Sequence, residues 1–470
     1  MHPLRRVARK ELTETLRDGR FRAAGGVLAA LLLVALGLGV AERAALERER
    51  LTAQERDRAQ WEGQGHKNPH SAAHFGVYAL PARDVLGSLD PGIEAFTGRA
   101  LWLEAHWQDF FQARPAEDGT GLQRFAELTV ARSLQLLVPL LVVVLLFDAW
   151  SGERERGTLR QLRSLGARPL HLALGKLCGT GAALGLVLAP ALAAALAVAA
   201  LEGEPGAVPR LLLMALGYAL YLTAFAGLAL TVSALAGSSR AALLALLGFW
   251  VANGLVAPRL AVDLSERLAP TPSATSFWAG VSRDFEHGLD GHDPADARRR
   301  ELERRVLTEY GVTRVEDLPV SFAGVALQAS EEFGAQVFDR HFSRLWDGYE
   351  RQERVQLACG ALFPLLAARA LSMGAARTDF AHRRHFAASA EAFRRDFVKR
   401  LNDTMTAHAK GLDFEWQAGP DYWRTLPSFR YAPPPLGLTL RAQVGPLLLL
   451  GAWAAAALAA SAVSAARVRV

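Results

Sequence analysis

The sequence predicts an all-α membrane protein with six transmembrane helices, an N-terminal interfacial helix, and a mainly helical extracytoplasmic domain built from two long loops. Three observations support this fold class. The chain has 470 residues, of which 51% are hydrophobic. The hydrophobic residues are concentrated in nearly uncharged segments of about 20 residues, the length that crosses a bilayer as a helix. Stretches rich in arginine, glutamate and aspartate separate these segments.

Six segments are long and apolar enough to span a bilayer. They cover residues 23–40, 129–147, 170–200, 211–235, 241–262 and 444–466. A further apolar segment, residues 355–371, contains Gly360, Pro364 and Arg369. Because these residues leave only a short hydrophobic stretch, we predict a buried or interfacial helix of a soluble domain there, and no seventh span.

Lysine and arginine in short loops predict the orientation of the spans, because they favour the cytoplasmic side. Such residues precede the first span, separate the second from the third and the fourth from the fifth, and follow the sixth (Arg5, Arg6, Arg9, Lys10, Arg17, Arg20, Arg22; Arg154, Arg156, Arg160, Arg163, Arg168; Arg240; Arg467, Arg469). Both termini, including a tail at 467–470, are therefore predicted to be cytoplasmic. Residues 41–128 and 263–440 become extracytoplasmic, as in a multi-pass protein of the bacterial inner membrane.

Residues 1–22 have the pattern of an amphipathic helix. Leu4, Ala8, Leu12 and Leu16 recur at intervals of four, and charged residues take the opposite face. This pattern predicts an interfacial helix that lies on the cytoplasmic surface and leads into the first span. The alternative is a basic tail that only sets the topology.

The connection between the second and third spans, residues 148–169, is short and strongly charged. Leu159, Leu162 and Leu165 fall on one stripe of a predicted helix, and arginines fall on another. A short charged helix held between two spans can transmit force from a soluble partner.

This connection resembles the coupling helix of ABC-2 type transporter permeases. The resemblance rests on the run from Glu153 to Leu159, followed by Leu162 and Leu165, within a six-span plan preceded by an interfacial helix. It implies a permease subunit of an ATP-driven exporter whose coupling helix docks into an ATP-binding subunit. The docking residues would be Glu153, Arg154, Glu155, Arg156, Gly157, Thr158, Leu159, Leu162 and Arg163, with Leu159 and Leu162 as anchors. The long loops, which include the stretches 74–76 and 103–106, resemble a subfamily with large extracytoplasmic domains.

The chain contains no GxxxxGK[ST] motif, so ATP and Mg²⁺ would bind a separate subunit. The resemblance implies two permease chains, like or unlike, with two ATPase subunits and the lipid bilayer as partners. The net charge of +6 is explained by basic residues beside the spans, and we expect no nucleic-acid partner. We also expect no catalytic site and no cofactor in this chain. A membrane-anchored sensor or scaffold with a ligand-binding outer domain is the alternative function, and a membrane-embedded enzyme is a third.

Histidine spacing suggests metal sites only weakly. His66, His70 and His74 recur every four residues, but Pro69 argues against a continuous helix through them, and no cysteine or carboxylate completes the set. His382 and His385 lie near Asp379 but beside two arginines. We therefore expect no metal at either place. The two cysteines, Cys178 and Cys359, are not expected to form a disulfide.

Small residues in the third span permit close helix packing. Gly175 and Gly179, and then Gly181 and Gly185, each lie four apart. They would pack either inside one subunit or across a permease dimer. Pro139, Pro190 and Asn253 interrupt the second, third and fifth spans and could mark hinges or a translocation path.

Overall fold

The computed structural model describes residues 3–118, 128–411 and 413–468. Within these ranges six helices are long and apolar enough to cross a membrane, and we number them spans 1 to 6. They are Gly19–Glu62, Val130–Glu155, Pro169–Leu201, Ala207–Leu235, Ser239–Leu268 and Val444–Arg467. The all-α membrane class and the number of spans are confirmed. Arg469 of the predicted tail and residues 119–127 of the first long loop lie outside the described residues.

The helix that contains span 1 extends beyond the predicted apolar span, residues 23–40. It is one helix of 44 residues, Gly19–Glu62, and is therefore about 66 Å long. Asp18 caps its first turn by accepting a hydrogen bond from the backbone N–H of Arg20 at 2.8 Å. The predicted span ended at residue 40 because Glu42 and Arg43 follow. The charged run beyond that point continues the same helix, which projects from the bundle.

Two long regions between the spans contain most of the remaining secondary structure of the described residues. Region 1, residues 41–128, contains the helices Pro69–Ala73, Glu94–Thr97 and Pro115–Asp118, the 3₁₀ turn Val85–Ser88, and the antiparallel strands Val77–Ala79, Leu101–Glu104 and Trp107–Gln108. Region 2, residues 263–440, contains the helices Ala274–His287, Ala295–Tyr310, Phe322–Cys359, Pro364–Ala376, Phe380–His408, Pro420–Thr425 and Leu436–Ala442, and the 3₁₀ turn Val315–Asp317. The mainly helical prediction is correct, but the small sheet was not predicted.

The two regions pack into a joint domain, as expected for loops tethered to one bundle. Trp61, at the far end of the span 1 helix, lies 4.9 Å from Phe397 and 5.8 Å from Trp423 between ring centroids. Phe111 of region 1 stacks on Phe386 of region 2 at 5.9 Å. Aromatic burial of this kind contributes strongly to stability. The far end of the span 1 helix therefore packs against region 2.

The apolar segment 355–371 is divided between two helices and is not one of the six candidate spans, but it is also not a helix of a separate soluble domain. The helix Phe322–Cys359 ends, the chain turns, and the helix Pro364–Ala376 returns with ten of its thirteen residues buried. We call residues 355–376 the inserted hairpin. Trp453 of span 6 donates a hydrogen bond to the Gly360 carbonyl at 2.9 Å. Asn253 of span 5 accepts one from the Leu365 backbone at 3.2 Å. The hairpin therefore packs among the spans.

Proline in span 2 is accommodated by the neighbouring spans. Pro139 has no N–H, so the carbonyl of Gln135, four residues earlier, lacks its usual helical partner. A π turn, Ser133–Leu137, forms there, and the Tyr221 hydroxyl of span 4 donates to that carbonyl at 3.0 Å. Asn253 in turn donates to the Tyr221 hydroxyl at 3.1 Å. Pro139 and Asn253 thus belong to one polar network that joins spans 2, 4 and 5.

Candidate functional site

The connection between spans 2 and 3 forms two short helices where the sequence predicted one. We call residues 148–169 the connector. Its helices are Ser151–Glu155 and Thr158–Ser164. Gly157 separates them with φ of +71°, a left-handed conformation that glycine adopts without steric cost. Gly166, at φ +79°, ends the second helix before span 3 begins at Pro169. The connector is therefore a compact bent element.

The first half of the connector is attached to the ends of spans 4 and 5. The Arg154 guanidinium donates to the carbonyls of Ala234, at 3.4 Å, and Ala236, which lie at the end of span 4. The Glu155 carboxylate accepts from the backbone N–H and the hydroxyl of Ser239, at 2.7 and 2.8 Å, where span 5 begins. A cation at a helix C-terminus and an anion at an N-terminus both complement the helix dipole. These contacts tie the connector to both helix ends.

A buried ion pair network joins the connector to span 3 and to the N-terminal helix. The Lys176 ammonium lies 2.8 Å from a Glu153 carboxylate oxygen and 3.2 Å from a Glu11 carboxylate oxygen. Lys176 is only 2% exposed. Burial opposes ionisation of Glu11, but the charges of Lys176 and Lys10 outweigh it and lower the pKa of that carboxyl. We call Glu11, Glu153 and Lys176 the charge junction. It holds three chain segments at one point.

The N-terminal helix, Pro3–Arg17, has the predicted amphipathic pattern but packs closely on span 3. Leu4, Ala8 and Leu12 are half-buried, whereas Leu16 is exposed. A Cβ atom at Gly179 would lie 2.5 Å from Glu11 Cβ and 2.8 Å from the Ala8 carbonyl oxygen, so a larger residue would not fit there. The helix therefore rests directly on span 3.

The four glycines of span 3 have two different surroundings. Gly175 faces Val7, and Gly179 faces the next turn of the N-terminal helix, so these two glycines permit packing inside one subunit. Gly181 and Gly185 have open space where a side chain would project. The structure therefore settles the first pair as internal contacts and leaves the second pair on an exposed face.

Exposure divides the residues that the sequence assigned to docking. Glu153 and Leu159 are buried in the chain's own core, and Leu159 is only 2% exposed. Leu159 therefore cannot serve as the anchor for a partner, because it already packs against this subunit. Leu162, Arg154, Arg163 and Thr158 are half-buried, whereas Glu155, Arg156 and Gly157 are exposed.

A different set of connector residues faces solvent. Leu165, at the end of the second helix, is 83% exposed. We call the exposed side chains around it the docking face: Arg156, Arg160, Gln161, Ser164 and Leu165. A single exposed leucine is common on protein surfaces. What distinguishes the docking face is that these exposed side chains lie on a short charged element whose other side is buried against spans 3, 4 and 5. Sequence spacing had placed Leu159 and Leu165 on one stripe, but the helix ends between them.

The histidines set aside in the sequence fall into two groups. His382 contacts Asp379 and Thr439, and His385 contacts Tyr431, so each already has a structural partner. In the other group, the helix Pro69–Ala73 begins at the proline that argued against it and carries His70 at its second position. His70 and His74 lie beside His106, which the spacing argument had not considered, while His66 is not part of this cluster.

The fold and the connector define a class of protein, a multi-pass membrane subunit with one compact, arginine-rich element. One side of this element is exposed to solvent, and the other side is fixed to several spans. A family profile described as "ABC-2 family transporter protein" matches residues 5–306, well over half of the chain. The chain belongs to this family and is a membrane permease of an ABC transporter. The family's permeases are transporter membrane subunits and are not themselves catalytic.

A second profile, described as a domain of unknown function, DUF3526, matches residues 274–432. This range covers most of region 2, including the inserted hairpin. A comparison with curated proteins finds no match to the chain. The family profile therefore covers spans 1 to 5, the connector and region 1, whereas span 6 lies outside both matched ranges. Neither profile assigns a role to the joint domain, which we interpret from its own geometry.

Proposed function

We propose that this chain is the permease subunit of an ATP-driven exporter in the bacterial inner membrane, with both termini in the cytoplasm. ATP and Mg²⁺ bind a separate ATPase subunit, which contacts the docking face of the connector. The observation that carries the proposal is the contrast within the connector. Leu165 is 83% exposed, whereas Lys176 and Glu153, which fix the connector from behind, are 2% and 5% exposed.

Such an arrangement can pass a displacement from a soluble subunit to the spans. A displacement of the docking face would be transmitted to span 3 through the Glu153–Lys176 ion pair. It would be transmitted to span 4 through Arg154 and to span 5 through Glu155. Because close-packed elements move between discrete arrangements, the displacement would shift whole helices. The chain would supply coupling, and the partner would supply the chemistry.

A second permease chain, like or unlike, would complete the transport path. The exposed face of span 3 that contains Gly181 and Gly185 supports this proposal, because small residues allow two helices to approach closely in a bilayer. Orientation rests on the arginines of the connector and the N-terminal helix, which favour the cytoplasmic side.

The docking assignment can be tested by co-purification with the ATPase subunit that this proposal requires. Replacing Leu165 by Asp and Arg160 by Glu should weaken the complex about tenfold or more, since loss of an interface anchor costs about 2 kcal/mol. Leu51→Asp is the matched control, because Leu51 is also exposed but lies on the projecting part of span 1. Full retention of the ATPase by the double variant, with folding unchanged, would refute the docking face.

A further inference from the structure

Three histidines converge in the joint domain, far from the connector. His70 is the second residue of the helix Pro69–Ala73, and His74 follows one helical turn later as its C-cap. His106 lies in the turn between the second and third strands. The Nε2 atom of His70 lies 3.2 Å from Nε2 of His74 and 3.1 Å from Nε2 of His106. All three candidate ligand atoms lie within 4.8 Å of one another.

Local structure fixes two of the histidines in place. Asn68 caps the short helix by accepting from the backbone N–H of His70 at 2.9 Å. His106 has φ of +65°, which is unusual for a residue with a side chain and implies that its surroundings impose the conformation. Glu331 of region 2 holds it there, accepting from the His106 backbone N–H at 2.6 Å. The cluster is thus held by contacts outside the three rings.

Hydrogen bonds on the far side of the rings determine which nitrogen carries the proton. His106 Nδ1–H donates to Glu331 at 2.7 Å, because a carboxylate can only accept there. Asn402 donates through its Nδ2 to Gln328, so its Oδ1 faces His70 Nδ1, at 3.2 Å, and accepts from it. Both rings therefore direct an unprotonated Nε2 toward the other ring. In neutral rings these two lone pairs lie 3.1 Å apart and repel each other, and either a proton or a metal ion between them removes the repulsion.

We propose that His70, His74 and His106 bind one divalent late transition-metal ion of the Zn²⁺ class through their Nε2 atoms. Imidazole nitrogen favours such ions over Mg²⁺ or Ca²⁺, which prefer oxygen ligands. Two nitrogens bound to one tetrahedral Zn²⁺ lie about 3.4 Å apart, close to the His70–His74 and His70–His106 separations. The three atoms spread over 4.8 Å, so the exposed His74 ring would rotate toward His106 to complete the site. The sequence-based expectation of no metal rested on Pro69 and on the absence of a cysteine or carboxylate to complete the set of His66, His70 and His74. The proline starts the helix, and His106 supplies the ligand from another segment.

Glu331 and Asn402 complete the site as outer-shell partners. Metal-binding histidines usually donate their second ring N–H to a carboxylate or another oxygen acceptor, which orients the ring and increases its basicity. Glu331 is also paired with Arg394 at 3.1 Å, and this contact fixes the carboxylate. Because the three ligands come from region 1 and both outer-shell partners from region 2, the ion would join the two regions.

The exposure of the ligands determines what kind of site this is. His70 is 5% exposed, but the His106 side chain is 36% exposed and His74 is also exposed. Three ligands leave a fourth position of a tetrahedral ion for water, as in zinc sites that remain open. The site therefore holds an exchangeable ion at the surface of the joint domain.

The inference is tested on the full-length chain, purified in detergent with an affinity tag that contains no histidine and then treated with a chelator. Zn²⁺ binding is measured by competition with a chromogenic chelator, and Co²⁺ absorption reports tetrahedral nitrogen coordination. We expect one Zn²⁺ per chain. His106→Ala should weaken binding at least tenfold, and Glu331→Gln should weaken it about 10- to 100-fold. His66→Ala is the matched control and should leave the affinity unchanged.

Two safeguards keep the result decisive. His74→Gln changes an exposed side chain, so it should leave the thermal unfolding curve of the metal-free chain unaltered while still lowering the affinity at least tenfold. Zn²⁺ should raise the unfolding temperature of the native chain and not that of His74→Gln. Binding of less than half an equivalent of Zn²⁺ would show that the site is absent and would overturn the proposal. Equal losses of Zn²⁺ affinity in His66→Ala and His106→Ala would show adventitious binding by surface histidines and would also overturn it.

Discussion

Replacing Lys176 by alanine should destabilise the protein by about 3–5 kcal/mol, because it removes the buried partner of two carboxylates and leaves them only the exposed Lys10. Lys176 is the cation of the charge junction, and its loss leaves the Glu11 and Glu153 carboxylates close together without it. The unfolding temperature in detergent should fall by on the order of 10 °C. The N-terminal helix should also separate from span 3, which limited proteolysis at its arginines would detect.

The controls for this variant separate charge from packing. Lys410→Ala removes a lysine from an exposed position and should change the unfolding temperature little. Combining Lys176→Met with Glu11→Gln and Glu153→Gln removes the buried charges together and should recover most of the lost stability. Equal unfolding temperatures for Lys176→Ala and Lys410→Ala would show that the charge junction does not hold these segments.

A second large effect is expected for Arg210→Met, at the start of span 4. Arg210 is fully buried and lies 2.8 Å from Asp84 and 2.6 Å from Glu204, and it also donates to the Ala375 carbonyl at 2.9 Å. It therefore joins region 1, the loop before span 4 and the end of the inserted hairpin. Its removal should cost about 3–5 kcal/mol and make the hairpin susceptible to protease.

The loss from Arg210→Met should depend on pH in a defined direction. Burial raises the pKa of Asp84 to about 6 even with Arg210 beside it. A carboxyl whose folded pKa lies above its unfolded value near 4 stabilises the fold fully only below pH 4, and this contribution is lost as the pH rises through 6. Without Arg210 the folded pKa should rise further. The variant should therefore be closer to the native protein in stability at pH 5 than at pH 8.

Thermal unfolding of both proteins across this pH range measures the difference. Arg267→Met, at an exposed position near the end of span 5, is the matched control and should behave like the native chain at every pH. A constant deficit for Arg210→Met between pH 5 and 8 would mean that Asp84 does not titrate in this window.

The spans could be predicted because each depends on local composition. A run of about 20 apolar residues has to be buried in lipid as a helix whatever the rest of the chain does. The helix of span 1 extends beyond the predicted span because hydropathy marks where a helix leaves the apolar layer and not where its hydrogen bonding stops. The three strands were missed because each has four residues or fewer, too short for an alternating pattern.

The candidate site was predicted only in part, since its inner face depends on long-range pairs. Glu153 looked like a solvated charge, but its partner Lys176 lies 23 residues further along the chain, and Glu11 lies 165 residues before that lysine. Leu159 is buried in this subunit's own core and the short helix ends at Ser164, so the anchor that we propose is the exposed Leu165. The contact between His106 and His70 could not be predicted either, because the two residues are 36 positions apart in sequence and come together only in the folded joint domain.

Photo-crosslinking in intact cells is the most direct test of the central claim that the connector contacts the ATPase. A photoreactive amino acid is placed at Leu165 on the docking face or at Arg300 in region 2, both of which are exposed. The account predicts a crosslink to the ATPase subunit from position 165 and none from position 300. A crosslink from position 300, or none from position 165 while the complex is intact, would contradict it.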